Sequence, residues 1–346
     1  MIHILRENES ASQAAAVYGL KEENLRTYNT LGDYFPGGEN EAVWMDCGGL
    51  VRFDEISGEA KRLKYYEHPE HELNFLHSVS SVTDGFVPID NWGRDAKEIF
   101  IDGYGVSGNN LLLPADYPAI NACVLHRITP SFVINSPGDY LSDEIGFQLV
   151  NDLSFKEYRN VLIRVTGEAQ MQDALKLSDF LRSENFGIFA AMPYNCAKLT
   201  SPGDYERVYY ETEKTAFDFE SFTLRCDELQ TLFGEQRFGV LYTPRGAQMD
   251  PDGGNIRYLT LRGLGEVLGK KEGAVMYDES CELAFFRIRP SRGEGEKSNV
   301  IYEDLRSFYA KAAFCLERGI KYFCINGCGA YFAGLGRIFG LIEGGL

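Results

Sequence analysis

From about residue 73 the chain keeps one rhythm. Eight short β-rich runs (LNFLHSV, EIFIDGY, SFVIN, VLIRVTG, GIFAAMP, RVYYETE, FGVLYTP and YFCINGC) alternate with amphipathic stretches such as AQMQDALKLSDFLRSENF, FTLRCDELQTLFGEQ and YEDLRSFYAKAAFCLERG. Strands separated by helical crossovers build parallel sheets, and eight of them over about 270 residues predict an α/β fold, a (β/α)8 barrel of the TIM type. The rival is a doubly wound open sheet, which would carry a Gly-rich nucleotide loop after its first strand; none is present. GLGRIFG near the C-terminus reads as a turn. At roughly 244–300 the rhythm breaks. AVMYDES and LAFFRIRP read as strands there, with SRGEGEKSN as the turn before VIYED, and the segment predicts a small α+β insertion within a barrel domain of residues 73–346. DPDGGN lacks the spaced acidic ligands and distal glutamate of a calcium loop and reads as a turn.

Composition narrows the function classes. A chain of 346 residues with 44% hydrophobic content can bury a large core, and a net charge of −17 with no basic concentration excludes a phosphate-binding surface for nucleic acid. No apolar run reaches the roughly 18 residues of a membrane helix. MIHILRENES has no basic region leading into an apolar core, so no secretory signal is expected and synthesis in the cytoplasm is. The cysteines at 47, 123, 196, 226, 281, 315, 324 and 328 lie scattered in apolar segments, as reduced core thiols do. With histidines only at 3, 68, 71, 77 and 126, no zinc set forms, and neither a metal nor a cofactor is expected.

Residues 1–46 read as a separate β-α-α-β unit. IHILREN is a strand, Ser10 caps an Ala-rich helix ended by Gly19, KEENLRTYN is a second helix with Leu25 inward, and a Pro-Gly-Gly turn leads into EAVWM. Residues 47–72 are polar and read as a hairpin and linker. The order of the first unit, with Ile4, Asn8-Glu9-Ser10, Ala14-Ala15, Tyr18-Gly19-Leu20, Leu25, Asn29 and Phe35-Pro36-Gly37, resembles a LysM domain. That resemblance implies a glycan groove lined by the loops Asn8-Glu9-Ser10 and Thr30-Leu31-Gly32. The family's usual glycine and leucine near the first loop are here Asn8 and Ala11.

VLIRVTG carries an arginine in mid-strand. Side chains alternate along a strand, so Val161, Ile163 and Val165 share the helix-facing side, and Leu162, Arg164 and Thr166 the barrel side. From EIFIDGYGVSGNNLLLP through RITPSFVIN, YRNVLIRVT, GIFAAMPYN and FGVLYTPRG to the closing strand, the chain is similar to the family 18 glycoside hydrolases, most of all the LysM-bearing spore cortex-lytic and spore-coat type. Active members carry D-x-x-D-x-D-x-E on the fourth strand. The last glutamate protonates the glycosidic oxygen, and an aspartate orients the N-acetyl group that acts as nucleophile. Here those positions are Arg159, Leu162, Arg164 and Thr166, so all four carboxylates are absent.

The tryptophan expected on the eighth strand is Asn326, and Tyr210 fits the tyrosine expected after the sixth. Glu168, two residues late, is a weak candidate for a relocated acid. The barrel reading places Asp102, Tyr104, Arg164, Tyr210, Glu211 and Asn326 at the mouth, with Arg164 paired to Asp102 or Glu211. The resemblance thus implies a catalytically inactive scaffold or glycan-binding protein of a spore coat or phage-tail-like assembly. Its partners would be peptidoglycan, another N-acetylglucosamine-containing glycan, or proteins of that assembly. The alternatives are an active N-acetylglucosaminidase using displaced carboxylates (Glu168, Asp102 or Glu211) and an unrelated barrel enzyme.

Overall fold

The computed structural model of the chain describes residues 2–31, 33–45, 52–54, 60–62, 72–78, 96–113, 116–212, 218–251, 253–289 and 297–326. Gly32, Cys47, His68, His71, Cys328 and GLGRIFG, for which the sequence raises expectations above, lie outside them.

The first unit runs β1 (Ile2–Ile4), α1 (Ala11–Val17), α2 (Glu22–Asn29) and β2 (Ala42–Trp44). The Ser10 hydroxyl accepts the Gln13 N–H while the Gln13 side chain answers the Ser10 N–H, a capping box that stabilises α1 by about 1 kcal/mol. Asn29, fully buried, ties α2 to β2 by donating to the carbonyls of Leu25 and Trp44 and accepting the Trp44 N–H at 2.6 Å. β3 (Arg52–Asp54) and β4 (Ala60–Arg62) pair as a hairpin within the 47–72 segment, and β3 lies parallel beside β1. That hairpin therefore extends the sheet of the first unit, in the order β2-β1-β3-β4.

The barrel begins with β5 (Glu72–Ser78) and β6 (Ala96–Asp102). A small hairpin of β7 (Gly105–Ser107) and β8 (Asn110–Leu112) follows, then α3 (Tyr117–His126), β9 (Thr129–Ile134), α4 (Asp143–Phe155), β10 (Asn160–Arg164), α5 (Met171–Ser183) and β11 (Gly187–Met192). Next come α6 (Tyr194–Lys198), β12 (Arg207–Glu211), α7 (Phe219–Phe233) and β13 (Phe238–Tyr242). The insertion holds β14 (Gly246–Met249), β15 (Arg257–Tyr258), α8 (Leu261–Leu268), β16 (Lys271–Asp278), β17 (Leu283–Ile288) and β18 (Ser298–Tyr302). The chain returns through α9 (Leu305–Glu317) to β19 (Tyr322–Asn326).

β5, β6, β9, β10, β11, β12, β13 and β19 close into a barrel in which each neighbouring pair is parallel. Each is one of the eight runs that set the rhythm of the sequence. Strand parity sorts the core into two shells. Leu76, Phe100, Val133, Leu162, Phe189, Ala191, Tyr209, Leu241, Tyr322 and Cys324 fill the interior. Val161, Ile163 and Val165 belong to the outer shell with the helices. Below the interior layer, Arg207 lies over the Tyr322 ring at 3.5 Å and faces Glu98, whose other partners are Ser131 and Asn160. This polar network lies at the N-terminal end of the barrel, opposite the strand ends that carry Arg164 and Glu211. The insertion folds as an antiparallel sheet, β15-β14-β18-β17-β16, with α8 beside it.

Candidate functional site

The C-terminal strand ends converge on one guanidinium. Arg164, last residue of β10, points into the mouth because parity puts it with Leu162. It donates a fork to Glu211 at the end of β12, Nε to Oε2 at 3.2 Å and Nη2 to Oε1 at 2.5 Å. Its Nη1 donates to Asn135 Oδ1 at 3.1 Å. Asn135 in turn donates to Asp102 Oδ1 at 2.6 Å, so Asp102 is joined to Arg164 through an amide and not by a direct bond. Arg245, just past β13, brings a second guanidinium 4.0 Å from Glu211 and donates to the Thr212 carbonyl at 2.7 Å. Asn326, ending β19, donates to Thr243 Oγ1 at 3.0 Å.

These contacts set the charges. Burial works against the Arg164 cation, but Glu211 and Asp102 outweigh it and hold the guanidinium more basic than usual. Arg245 shifts the other way, because its burial and the neighbouring Arg164 exceed what Glu211 and Glu303 return. Burial raises the Asp102 carboxyl above its ordinary value, with Arg164 and Asn135 pulling back. The arrangement can hold an ion pair and bind polar groups. It lacks, among the described residues, a pair of carboxyls free of arginine and poised around a sugar bond.

Several candidates lie elsewhere. Tyr210 is not at the mouth: Arg207, Tyr209 and Glu211 take the inward positions of β12, and Tyr210, fully buried, stacks on Phe222 of α7 at 6.4 Å. Tyr104 is also outside the mouth. Gly103, at φ 151°, breaks the alternation after Asp102, and the Tyr104 ring turns outward onto Phe132 at 4.1 Å, its hydroxyl between Asp152 and Lys156. Arg159 is exposed before β10, and its carbonyl receives the Gly187 N–H. Thr166 is exposed in the loop after β10, its N–H on Gln170 Oε1 at 2.8 Å. Glu168 is exposed at the start of a short 3-10 turn leading into α5.

In the first unit, Asn8 is exposed at φ 61°. Glu9 accepts the Arg6 N–H and faces His3 at 3.1 Å, and the Ser10 hydroxyl serves its helix. Thr30 is half-buried and donates to the Arg26 carbonyl. Leu31 is fully buried, so it cannot line an open groove.

Sequence reasoning missed Asn135, Thr243 and Arg245. Asn135 was legible, since SFVIN alternates Ser131, Val133 and Asn135 inward. Arg245 follows Pro244 in a loop and carries no periodic signal.

No family model and no curated protein sequence matches the chain. Solved structures do. The spore cortex-lytic enzyme SleL of Bacillus cereus superposes with a TM-score of 0.72 at 13% identity, covering 99% of this chain and 98% of that one. The Bacillus megaterium QM B1551 SleL gives 0.60 at 10%, covering 99% and 86%. A GH18 chitinase from Cycas revoluta, solved in complex with (GlcNAc)4, gives 0.57 at 10%, covering 79% and 99%. Such identities speak for fold alone: the chain shares the barrel fold of these spore cortex-lytic and GH18 enzymes.

Proposed function

We propose that this chain is a non-catalytic glycosidase-like protein, a family 18-like barrel with a LysM-like unit at residues 1–46. It meets peptidoglycan or another N-acetylglucosamine-containing glycan, or proteins of a spore coat or phage-tail-like assembly, without cleaving the sugar. The observation that carries this reading is the Arg164–Glu211 fork. It occupies the mouth at the strand where the resemblance expects the catalytic carboxylates, and acts there as a structural plug. Hydrolysis by the expected route needs a proton donor of tuned pKa beside a carboxylate that steers the acetamido group. Leu162, Arg164 and Thr166 supply neither. The spore setting is supported by the likeness to two enzymes named as spore cortex-lytic.

One observation favours the second reading, an active N-acetylglucosaminidase. The Asp102 carboxyl, on the mouth side of β6, is raised by burial, as a general acid requires. Release of new reducing ends from chitin oligomers and cortex-type peptidoglycan separates the two. The purified protein should stay at the buffer blank, and so should Thr166→Glu, whose new carboxyl would sit on an exposed loop with Leu162 and Arg164 unchanged. Turnover that disappears in Asp102→Asn or Glu168→Gln would establish the active enzyme instead.

A further inference from the structure

The sheet of the first unit has two buried faces. Leu5, Val43 and Met45 pack with Ala11, Ala14, Ala15 and Leu25 of its own helices. Ile2, Ile4, Ala42 and Trp44, with Leu31, belong instead to the large core that includes Leu264 and Leu268 of α8 and Val275 of β16. A free module would leave that second face to water.

The 30–41 loop is fitted to the insertion at each level of chemistry. At the backbone, the Val275 N–H donates to the Glu39 carbonyl at 3.2 Å, and Asn40 Nδ2 donates to the Val275 carbonyl at 2.7 Å. β16 is an edge strand of the insertion sheet, so the loop covers backbone groups that would otherwise be open to pairing. In charge, Glu41 is 3% exposed and receives the N–H groups of Gly37 and Gly38, the Tyr34 hydroxyl, and Lys271 Nζ of β16 at 2.9 Å. The cation that compensates this buried carboxylate thus comes from the insertion. Arg306 of α9 adds a bond to the Asn40 carbonyl at 3.1 Å while its fork holds Asp304. In shape, a Cβ built on Gly265 of α8 would stand 2.4 Å from the Leu31 carbonyl, so only glycine lets the helix and loop meet.

We propose that the 30–41 loop is a docking surface whose occupant is the insertion of the same chain. The first unit then acts as an internal clamp on the insertion and takes no glycan on that loop. The glycan half of this claim rests on the reading above; the docking half stands on the contacts alone.

Hydrogen exchange on the full chain, with sedimentation on insoluble peptidoglycan, tests both halves. In the native protein the amides of Leu31, Gly37, Gly38 and Val275 should be protected. Asn40→Gly, which keeps the positive φ while removing the side-chain bonds, and Lys271→Met should each speed their exchange together by about tenfold or more, leaving the Val165 amide in the barrel unchanged. Open-loop rates in the native chain, or no change in either variant, would overturn the docking claim. In sedimentation, Thr30→Arg, bulky enough to fill a groove beside the loop, should leave the bound fraction unchanged. A tenfold loss would overturn the glycan half while leaving the glycan-binding reading intact. If the native chain does not sediment, that reading falls, and the exchange rates still decide the docking.

Discussion

Replacing Arg164 by methionine tests the plug directly. The two partners are buried to similar degrees, with side chains 18% and 13% exposed, and two bonds join them at 3.2 and 2.5 Å. Removing one member of a buried pair typically costs about 3–5 kcal/mol, because the remaining charge is left in a poor solvent. Here Arg245 lies 4.0 Å from Glu211 and takes up part of that charge, which sets the expectation at the lower end, about 3 kcal/mol. Glu211→Leu should destabilise by a similar amount, since it leaves two guanidiniums facing each other with Asp102 and Asn135 as the remaining polar partners of Arg164 among the described residues. The double variant Arg164→Met/Glu211→Leu removes both charges and fills the same space with apolar atoms. It should return to within about 1 kcal/mol of the native protein, a coupling far outside additivity. Urea unfolding of the four proteins measures the cycle. A cost below about 1 kcal/mol for Arg164→Met, with an additive double variant, would mean the pair is solvated and holds nothing together.

Two further outcomes follow from buried charges nearby. Burial raises the Asp102 carboxyl above 3.8, so the folded state binds that proton more tightly than the unfolded one, and the ionised group works against the fold at neutral pH. Asp102→Asn should therefore be the more stable protein at pH 7, with a gain that shrinks as pH falls through the raised folded value and is gone below 3.8; a gain that grows on acidification would contradict the burial argument. Lys311 and Glu303 are both fully buried and paired, and Glu303 also accepts the Arg245 N–H at 2.7 Å. Lys311→Met should cost about 3–5 kcal/mol in urea unfolding, and a loss under about 1 kcal/mol would show that Glu303 is answered without it.

What could be read from the sequence is what obeys a period. The eight barrel runs announce themselves because parallel strands covered on both faces need apolar residues on both, and the helices between them show their own spacing. Alternation alone puts Arg164 and Glu211 on the same side of the wall, and the fork between them follows from that. The misplacements share a cause. Likeness to a family pattern puts Tyr210 at the mouth, against the parity of its own strand, where Glu211 holds the inward position. Tyr104 follows parity on paper, but Gly103 reverses the direction of the next side chain, and a glycine at a strand end does not say by itself which way the chain will leave. As part of an isolated module Leu31 would be open to solvent, whereas in the chain it joins the core that includes α8, more than 200 residues later.

Arg245 shows the general limit. It reaches the mouth by a turn after β13 and stays there because Glu303, at the far end of the insertion, holds its backbone. Neither end of that contact has a local signature. The mouth of this barrel is thus assembled from strand ends, which periodicity locates, and from loop residues, which only the docked insertion brings into place. At the positions where the resemblance expects carboxylates stand Leu162, Arg164 and Thr166, and Arg164 pairs there with Glu211 while the walls and loops around it stay packed.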